Sequence, residues 1–246
     1  MTDFHCHLDL YPDALAVAAE ANRRNEFTLA VTTSPRAWMA TSRVFSKFER
    51  VAVGLGLHPE VALQKANEID TLLANVARAT WIGEIGIDGS PRFRSTLALQ
   101  VDLFERAIGA CAAAGGRPIS IHSRGAAREV LRILEAHPTS GTPILHWFSG
   151  SPGELRDAVA LGCWFSVGPK MLSAASGQAL ANEMPPERVL PETDGPFAQM
   201  RGRALLPWEA ADVSHTLAKI WRIPVAAAVD RLSGNSLRIR EIAEKS

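Results

Sequence analysis

Cysteine is scarce in this chain. Cys6, Cys111 and Cys163 are its only three, and so odd and scattered a set excludes both a disulfide framework and the close spacing of a zinc ribbon. They read as reduced core residues. An excess of charge of one sign is also missing, because 26 basic residues balance 26 acidic ones. No global field therefore draws the chain to nucleic acid or to a membrane, and any phosphate contact must come from a local patch or from bound metal. There is no membrane-length apolar run, and Met1 leads straight to Asp3 and His5 without the basic and apolar regions of a signal peptide. The expectation is a cytoplasmic protein with no membrane partner. No G-x-G-x-x-G or Walker loop follows the first apolar run, which argues against an open nucleotide-binding sheet.

The 246 residues are 47% hydrophobic, enough to bury a large core as one domain over residues 1–246. Short apolar runs alternate with helical patterns, the signature of βαβ units around a parallel sheet. Strands are predicted over Asp3–His7, Phe27–Thr32, Val51–Leu57, Trp81–Ile87, Pro118–His122, Pro143–His146, Cys163–Val167 and Arg188–Glu192. Between them, Leu97, Val101, Phe104, Ile108 and Cys111 recur at helical spacing before a Gly115-Gly116 stop. Ser151-Pro152-Gly153-Glu154 supplies an N-cap, a proline at the first helical position and a capping-box glutamate. Eight strands with intervening helices in this length fit a (β/α)8 TIM barrel. After the eighth strand, Asp194 to Trp208 lacks periodicity and is expected to lie over the site. Two helices are expected at the end, one from Pro224 to Leu232 and a short one over Leu237 to Ile242.

Residues two apart on a strand face the same side, so His5 and His7 could grip one ion. Taken alone, the pair is equally two histidines that fell on a half-buried strand. The active-site end of such a barrel is the C-terminal end of its strands, and other ligand types converge there. Strand four carries Glu84 inside an apolar run, where an ionised carboxylate needs a partner. Strand five ends on His122, strand six on His146, and strand eight runs through Glu192 to Asp194. Four histidines and two carboxylates exceed one tetrahedral zinc site and suit two hydrolytic metals bridged by a carboxylate.

These residues sit in His5-x-His7, Gly56-Leu57-His58-Pro59, Gly83-Glu84-Ile85-Gly86-Ile87-Asp88, Ile121-His122-Ser123-Arg124, Leu145-His146-Trp147-Phe148-Ser149-Gly150 and Glu192-Thr193-Asp194-Gly195-Pro196. In order over nearly the whole chain, the set resembles the TatD family of metal-dependent deoxyribonucleases. The resemblance implies an amidohydrolase-type barrel in which His5, His7 and Asp194 hold one divalent ion, His122 and His146 hold the other, and Glu84 bridges them. Zinc, magnesium or manganese would serve. It implies a metal-dependent phosphodiesterase, a 3′ to 5′ exonuclease on single-stranded DNA. Three departures face substrate: Gly89 and Ser90 stand where an aromatic residue is usual, Gly125 where an aspartate is frequent, and Gly195 where a serine is frequent. The strings Phe4–Pro12, Leu145–Gly150 and Gly162–Pro169 are similar to the QatD branch of the family, nucleases of the Qat antiphage defence system. That similarity implies a role in defence beside other Qat system proteins.

Within this frame Asp194 is the expected general base that orients the attacking water, and Glu84 the residue whose loss empties the metal site. His58, at the end of strand three, is expected to contact phosphate or to support a ligand, ahead of a plain structural role. Arg124 reads either as a bidentate phosphate contact or as a surface ion pair. Trp147 and Phe148 could stack on an unpaired base, or pack their loop onto the barrel. Lys170, Arg92, Arg94, Arg201 and Arg203 could form a basic patch or a solvated rim. His137 and His215 read as structural or surface residues. Two other functions fit the pattern less well. One is another amidohydrolase-type reaction on a small molecule, such as deamination; its carboxylated-lysine branch needs a lysine where Glu84 stands. The other is a non-catalytic subunit of a defence complex.

Overall fold

The computed structural model describes residues 1–245. Eight parallel strands carry the fold: β1 Thr2–Cys6, β2 Phe27–Val31, β3 Val51–Gly54, β4 Ile82–Gly86, β5 Arg117–His122, β6 Gly141–His146, β7 Trp164–Val167 and β8 Val189–Pro191. Each overlaps the apolar run that predicts it. The helices are α1 Ala14–Arg24, α2 Pro35–Phe45, α3 Ala62–Lys65, α4 Ile69–Asn75, α5 Leu97–Ala113, α6 Ala127–Ala136, α7 Pro152–Ala160, α8 Pro169–Leu172, α9 Ala175–Glu183, α10 Val213–Trp221 and α11 Val225–Glu244. α7 begins on the expected capping box, with Ser151 Oγ accepting from Glu154 N and the Glu154 carboxylate accepting from Ser151 N.

β1 to β3 and β4 to β8 pair in order as two parallel sheets, and two seams join them into a (β/α)8 barrel. At one seam Leu55 bridges to Ile82. At the other the contacts run past the end of β8: Asp194 N donates to His5 O at 2.8 Å and His7 N to Gly195 O at 2.7 Å. Asp3, fully buried, ties the same seam by accepting from Thr193 N and Thr193 Oγ1 at 3.0 and 2.6 Å.

Two register shifts interrupt the strand pairing. One falls between Asp3 and Cys6 on β1, the other between Ile82 and Ile85 on β4. Irregularities of this kind re-aim side chains next to active sites, and these two flank His5 and Glu84. Glu84 is further pinned through its backbone, donating to Thr32 O at 3.1 Å and accepting from Leu57 N at 3.0 Å. Gly56 permits that approach, since a Cβ there would lie 1.8 Å from Thr32 O and 2.6 Å from Glu84 N.

Phe4, Phe27, Leu29, Trp81, Ile144 and Leu190 form an apolar cluster with Ile239 and Ala243 of α11, and each large side chain so buried contributes about 1.5–3 kcal/mol. Cys6 packs between β1 and the helices in a group with Ala18 and Phe45, as strand alternation predicts.

α11 corrects the expectation of two helices, for it is one helix of 20 residues that runs through Gly234. Burial of Leu232, Asn235 and Ser236 on one side holds it, with Asn235 Nδ2 donating to Pro186 O and Val189 O at 2.8 and 2.7 Å. Tertiary packing outweighs the weak helix propensity of one glycine. The segment after β8 folds into a hairpin of β9 Gln199–Met200 and β10 Arg203–Ala204 followed by a 3-10 turn over Pro207–Asp212.

Candidate metal centre

Five imidazoles converge on one carboxylate at the C-terminal end of the barrel. Glu84 Oε2 lies 3.3 Å from His5 Nε2, 3.2 Å from His7 Nε2 and 3.1 Å from His58 Nε2; Oε1 lies 2.9 Å from both His122 Nδ1 and His146 Nε2. Asp194 Oδ1 faces the first pair, 3.8 Å from each of His5 Nε2 and His7 Nε2. Glu84, His5, His7 and His146 are all buried. The structure thus brings together His5, His7, Glu84, His122, His146 and Asp194, and adds His58 to them.

A cation fits this donor set. His5 Nε2 and Glu84 Oε2 are buried with no hydrogen-bond partner, a costly state unless something else satisfies them. Two donors bound to one ion at about 2.1 Å and a tetrahedral angle stand roughly 3.4 Å apart, close to the His5, His7 and Glu84 spacings. Among the described residues three donor groups lie close enough to share an ion: His5, His7 and Glu84; His58, Glu84 and His122; and His5, His146 and Glu192.

Neighbours orient these ligand types. Ser120 Oγ engages His5 Nδ1 at 2.7 Å, which leaves Nε2 to face Glu84. His122 Nε2 meets Asp88 Oδ2 at 2.8 Å, and His146 Nδ1 faces Glu192 Oε2 at 3.7 Å. Carboxylates placed behind a histidine in this way fix its ring and raise its basicity. Burial holds the His5 pKa well below the usual value, with the nearby His146 adding to the effect, so its ring is neutral. At Glu84 burial favours the neutral acid, but the surrounding His58, His146 and His5 outweigh it and hold the carboxyl well below its ordinary range. Burial pushes Asp194 up to about 6.

His58 is placed differently from the other four. Its Nδ1 accepts from Glu60 N at 3.1 Å at the start of a 3-10 turn, and burial lowers its pKa. A neutral ring whose Nδ1 accepts carries its proton on Nε2. His58 Nε2 therefore carries a proton toward the centre without a hydrogen bond to Glu84 Oε2, where a metal ligand would present a lone pair.

The centre opens into a cavity of about 530 Å³ whose lining includes Thr33, His58, Glu60, Arg124, Trp147 and Phe197. Arg124 is exposed on this wall, and among the described residues it has no carboxylate partner. Phe197 is 60% exposed and sets its ring edge-to-face on His7, with centroids 4.9 Å apart. Phe148 is fully buried and packs its loop, so only Trp147 of the pair reaches the cavity. The basic patch is not gathered here. Arg203 is paired with Glu209, Arg92 lies over Phe93, and Lys170 lines a neighbouring cavity.

Sequence reasoning missed Asp88 and Ser120 as supports and Phe197 as a cavity wall. A carboxylate directly after the apolar run of strand four was the one signal for Asp88. The three glycine departures have local causes. A Cβ on Gly89 would lie 2.2 Å from Gly125 O, Gly125 itself has φ +62°, and a Cβ on Gly195 would lie 2.0 Å from Tyr11 Oη and 2.4 Å from Leu205 O.

Residues 2–240 match the sequence profile of the TatD related DNase family. The chain is 26% identical to the human deoxyribonuclease TATDN3 over 97% of its own length and 94% of the relative's. It is 28% identical to the 3′-5′ ssDNA/RNA exonuclease TatD of Enterobacter lignolyticus, covering 74% and 75% of the two chains. The crystal structure of the TatD homologue YJJV from Escherichia coli superposes with a TM-score of 0.86 at 22% identity over 97% of each chain, which shows the same fold. With the profile spanning almost its entire length and the ionisable residues of its motifs gathered at one end of the barrel, the chain belongs to the TatD family of metal-dependent hydrolases.

Proposed function

We propose that this chain, a single TatD-like domain, is a 3′ to 5′ exodeoxyribonuclease acting on single-stranded DNA. The observation that carries the reading is the Glu84 carboxylate set among five imidazoles, its Oε2 orphaned, on the lining of a cavity of about 530 Å³. The relatives named as ssDNA/RNA exonucleases support the substrate.

In this reading His5, His7 and Asp194 would hold one divalent ion and His122 and His146 a second, with Glu84 serving both; nitrogen and oxygen donors of this kind accept zinc, magnesium or manganese. The ions would supply activation of water at neutral pH and neutralise charge developing on the phosphate oxygens. Asp194 orients the attacking water and takes its proton. Water adds to phosphorus in line as the bond to the leaving oxygen breaks, releasing a mononucleotide. His58 donates its Nε2–H toward the phosphate, and Arg124 meets the outer oxygens from the rim. Trp147 and Phe197 offer aromatic faces to an unpaired base. Glu84 occupies the β4 position where carboxylated-lysine hydrolases need a lysine, which speaks against that chemistry.

We further place the protein in cytoplasmic antiphage defence, with other Qat system proteins as partners. The QatD-like strings Phe4–Pro12, Leu145–Gly150 and Gly162–Pro169 support this. Among the described residues no helix is long and apolar enough to cross a membrane.

The test is to incubate purified protein with 5′-labelled single-stranded DNA and zinc, magnesium or manganese, with and without EDTA, alongside Glu84→Gln. Cleavage proceeding from the 3′ end, abolished by EDTA and lost in the variant together with metal per chain, is expected. Absence of cleavage with all three metals sinks the reading.

A further inference from the structure

A second cavity of about 520 Å³ adjoins the metal-centre cavity, and the two share Trp147 and Ser149. Its far wall is built from α8 and α9, which carry Lys170 and Ser176. The wall is firmly seated: Gly177 lets α9 lie on α8, since a Cβ there would meet Met171 O at 2.2 Å. Resting on the proposed nuclease function, we propose that this cavity receives the nucleotide next to the scissile phosphodiester, its base against the Trp147 indole and its phosphate at Lys170.

The backbone that carries Trp147 is held in place. Trp147 follows His146 directly, has φ +38°, and its backbone N–H is shared between Ser166 O and Glu192 Oε1, both at 3.1 Å. A base laid on that indole must be unpaired, because pairing in a duplex would keep its face inside the stack. Lys170 is exposed, and among the described residues it has no ion-pair partner, so its charge is free for a phosphate. The volume lies in the range of small-ligand cavities. Glu183, at the C-terminal end of α9, is the acidic residue on the lining; it repels a second phosphate at that end and limits the cavity to one nucleotide. The strand preference of the enzyme thus resides in Trp147 and Lys170, apart from the ligands themselves.

The full-length, metal-loaded protein is assayed on a single-stranded oligonucleotide and on bis(p-nitrophenyl) phosphate, which has a phosphodiester but no neighbouring nucleotide. Lys170→Glu raises KM for the oligonucleotide about tenfold more than for the small diester. It also flattens the plot of log Kd for the oligonucleotide against log salt by about 0.7, as loss of one single-strand phosphate contact requires. Trp147→Ala raises the oligonucleotide KM, and Trp147→Phe restores most of the loss. Lys219→Ala, at an exposed position of α10, serves as the control for a lost surface charge and behaves as wild type. A cleaved oligonucleotide with unchanged KM and salt slope in Lys170→Glu overturns this proposal alone, and leaves the cavity to an uncharged ligand. Failure of the wild type to cleave either substrate overturns the nuclease reading and this proposal with it.

Discussion

Asp88 holds His122 from behind: its Oδ2 lies 2.8 Å from Nε2 while Nδ1 of the same ring lies 2.9 Å from Glu84 Oε1. The carboxylate is fully buried and fixed by accepting from Ser90 N at 2.8 Å. Removing its charge without changing its shape loosens the ring on one side of the centre only. On the two-ion reading proposed above, Asp88→Asn is expected to weaken binding of one ion about tenfold or more, read as a metal titration that becomes biphasic.

Asp194 offers a different separation. Its Oδ1 stands 3.8 Å from His5 and His7, farther than Glu84 does, so it contributes less to holding that pair. Asp194→Asn is expected to retain most of the metal per chain and to lower turnover by about 10²–10⁴, the range of a lost general base. Near-normal turnover removes Asp194 from that role.

His58 lies nearer Glu84 than His5 or His7 does, yet its proton sits on the nitrogen that faces the centre. His58→Ala should therefore leave metal content unchanged and lower kcat/KM on an oligonucleotide about 10- to 100-fold, the loss of one hydrogen bond to a charged group. Metal analysis that shows a lost ion in this variant would make His58 a ligand.

The positions of these groups show what a sequence can and cannot carry. The strands were legible because β-strands buried on both faces are written as continuous apolar runs, and the ligand candidates because ionisable residues at the ends of such runs stand out. The support that Asp88 gives His122 depends on how β4 lies beside β5, with Gly86 opposite His122, and no local pattern reports that register. Phe197 carries no periodic signal, since its loop is shaped by the β9–β10 hairpin and by Ala198 N donating to Asp194 O at 2.9 Å. The expectation of two terminal helices fails for a related reason: the contacts of Asn235 and Ser236 that hold α11 continuous through Gly234 are tertiary, and no local pattern reports them.

Gly234 gives a stability prediction. It is exposed inside α11, and a Cβ there would meet nothing within 4 Å. Gly234→Ala should stabilise the protein by about 0.5–1 kcal/mol, seen as a rise in Tm of about 2 °C. A fall in Tm contradicts the continuous helix.

Glu68 gives a dependence on pH. Burial pushes its carboxyl up, but the Arg36 N–H at 3.0 Å and the Lys65 ammonium at 3.1 Å outweigh burial and leave its pKa below the ordinary 4.5. A folded-state pKa lower than the unfolded one stabilises the protein above pH 4.5, and that contribution is lost as pH falls through the folded value. Glu68→Gln should lower Tm by about 3 °C at pH 7, and the gap from wild type should close on acidification. A gap that stays constant with pH counts against the ionised contact.

The glycines at 89, 125 and 195 bear on how this protein can change. At two of them a neighbour occupies the space a Cβ would need: Gly125 O against position 89, Tyr11 Oη and Leu205 O against position 195; at the third, Gly125, the backbone has φ +62°. A side chain at 89 or 195 cannot be added by a single replacement without displacing backbone on a second loop. Two loops would have to retreat together. Side chains at these positions are therefore better tested by exchanging whole loops than one position at a time.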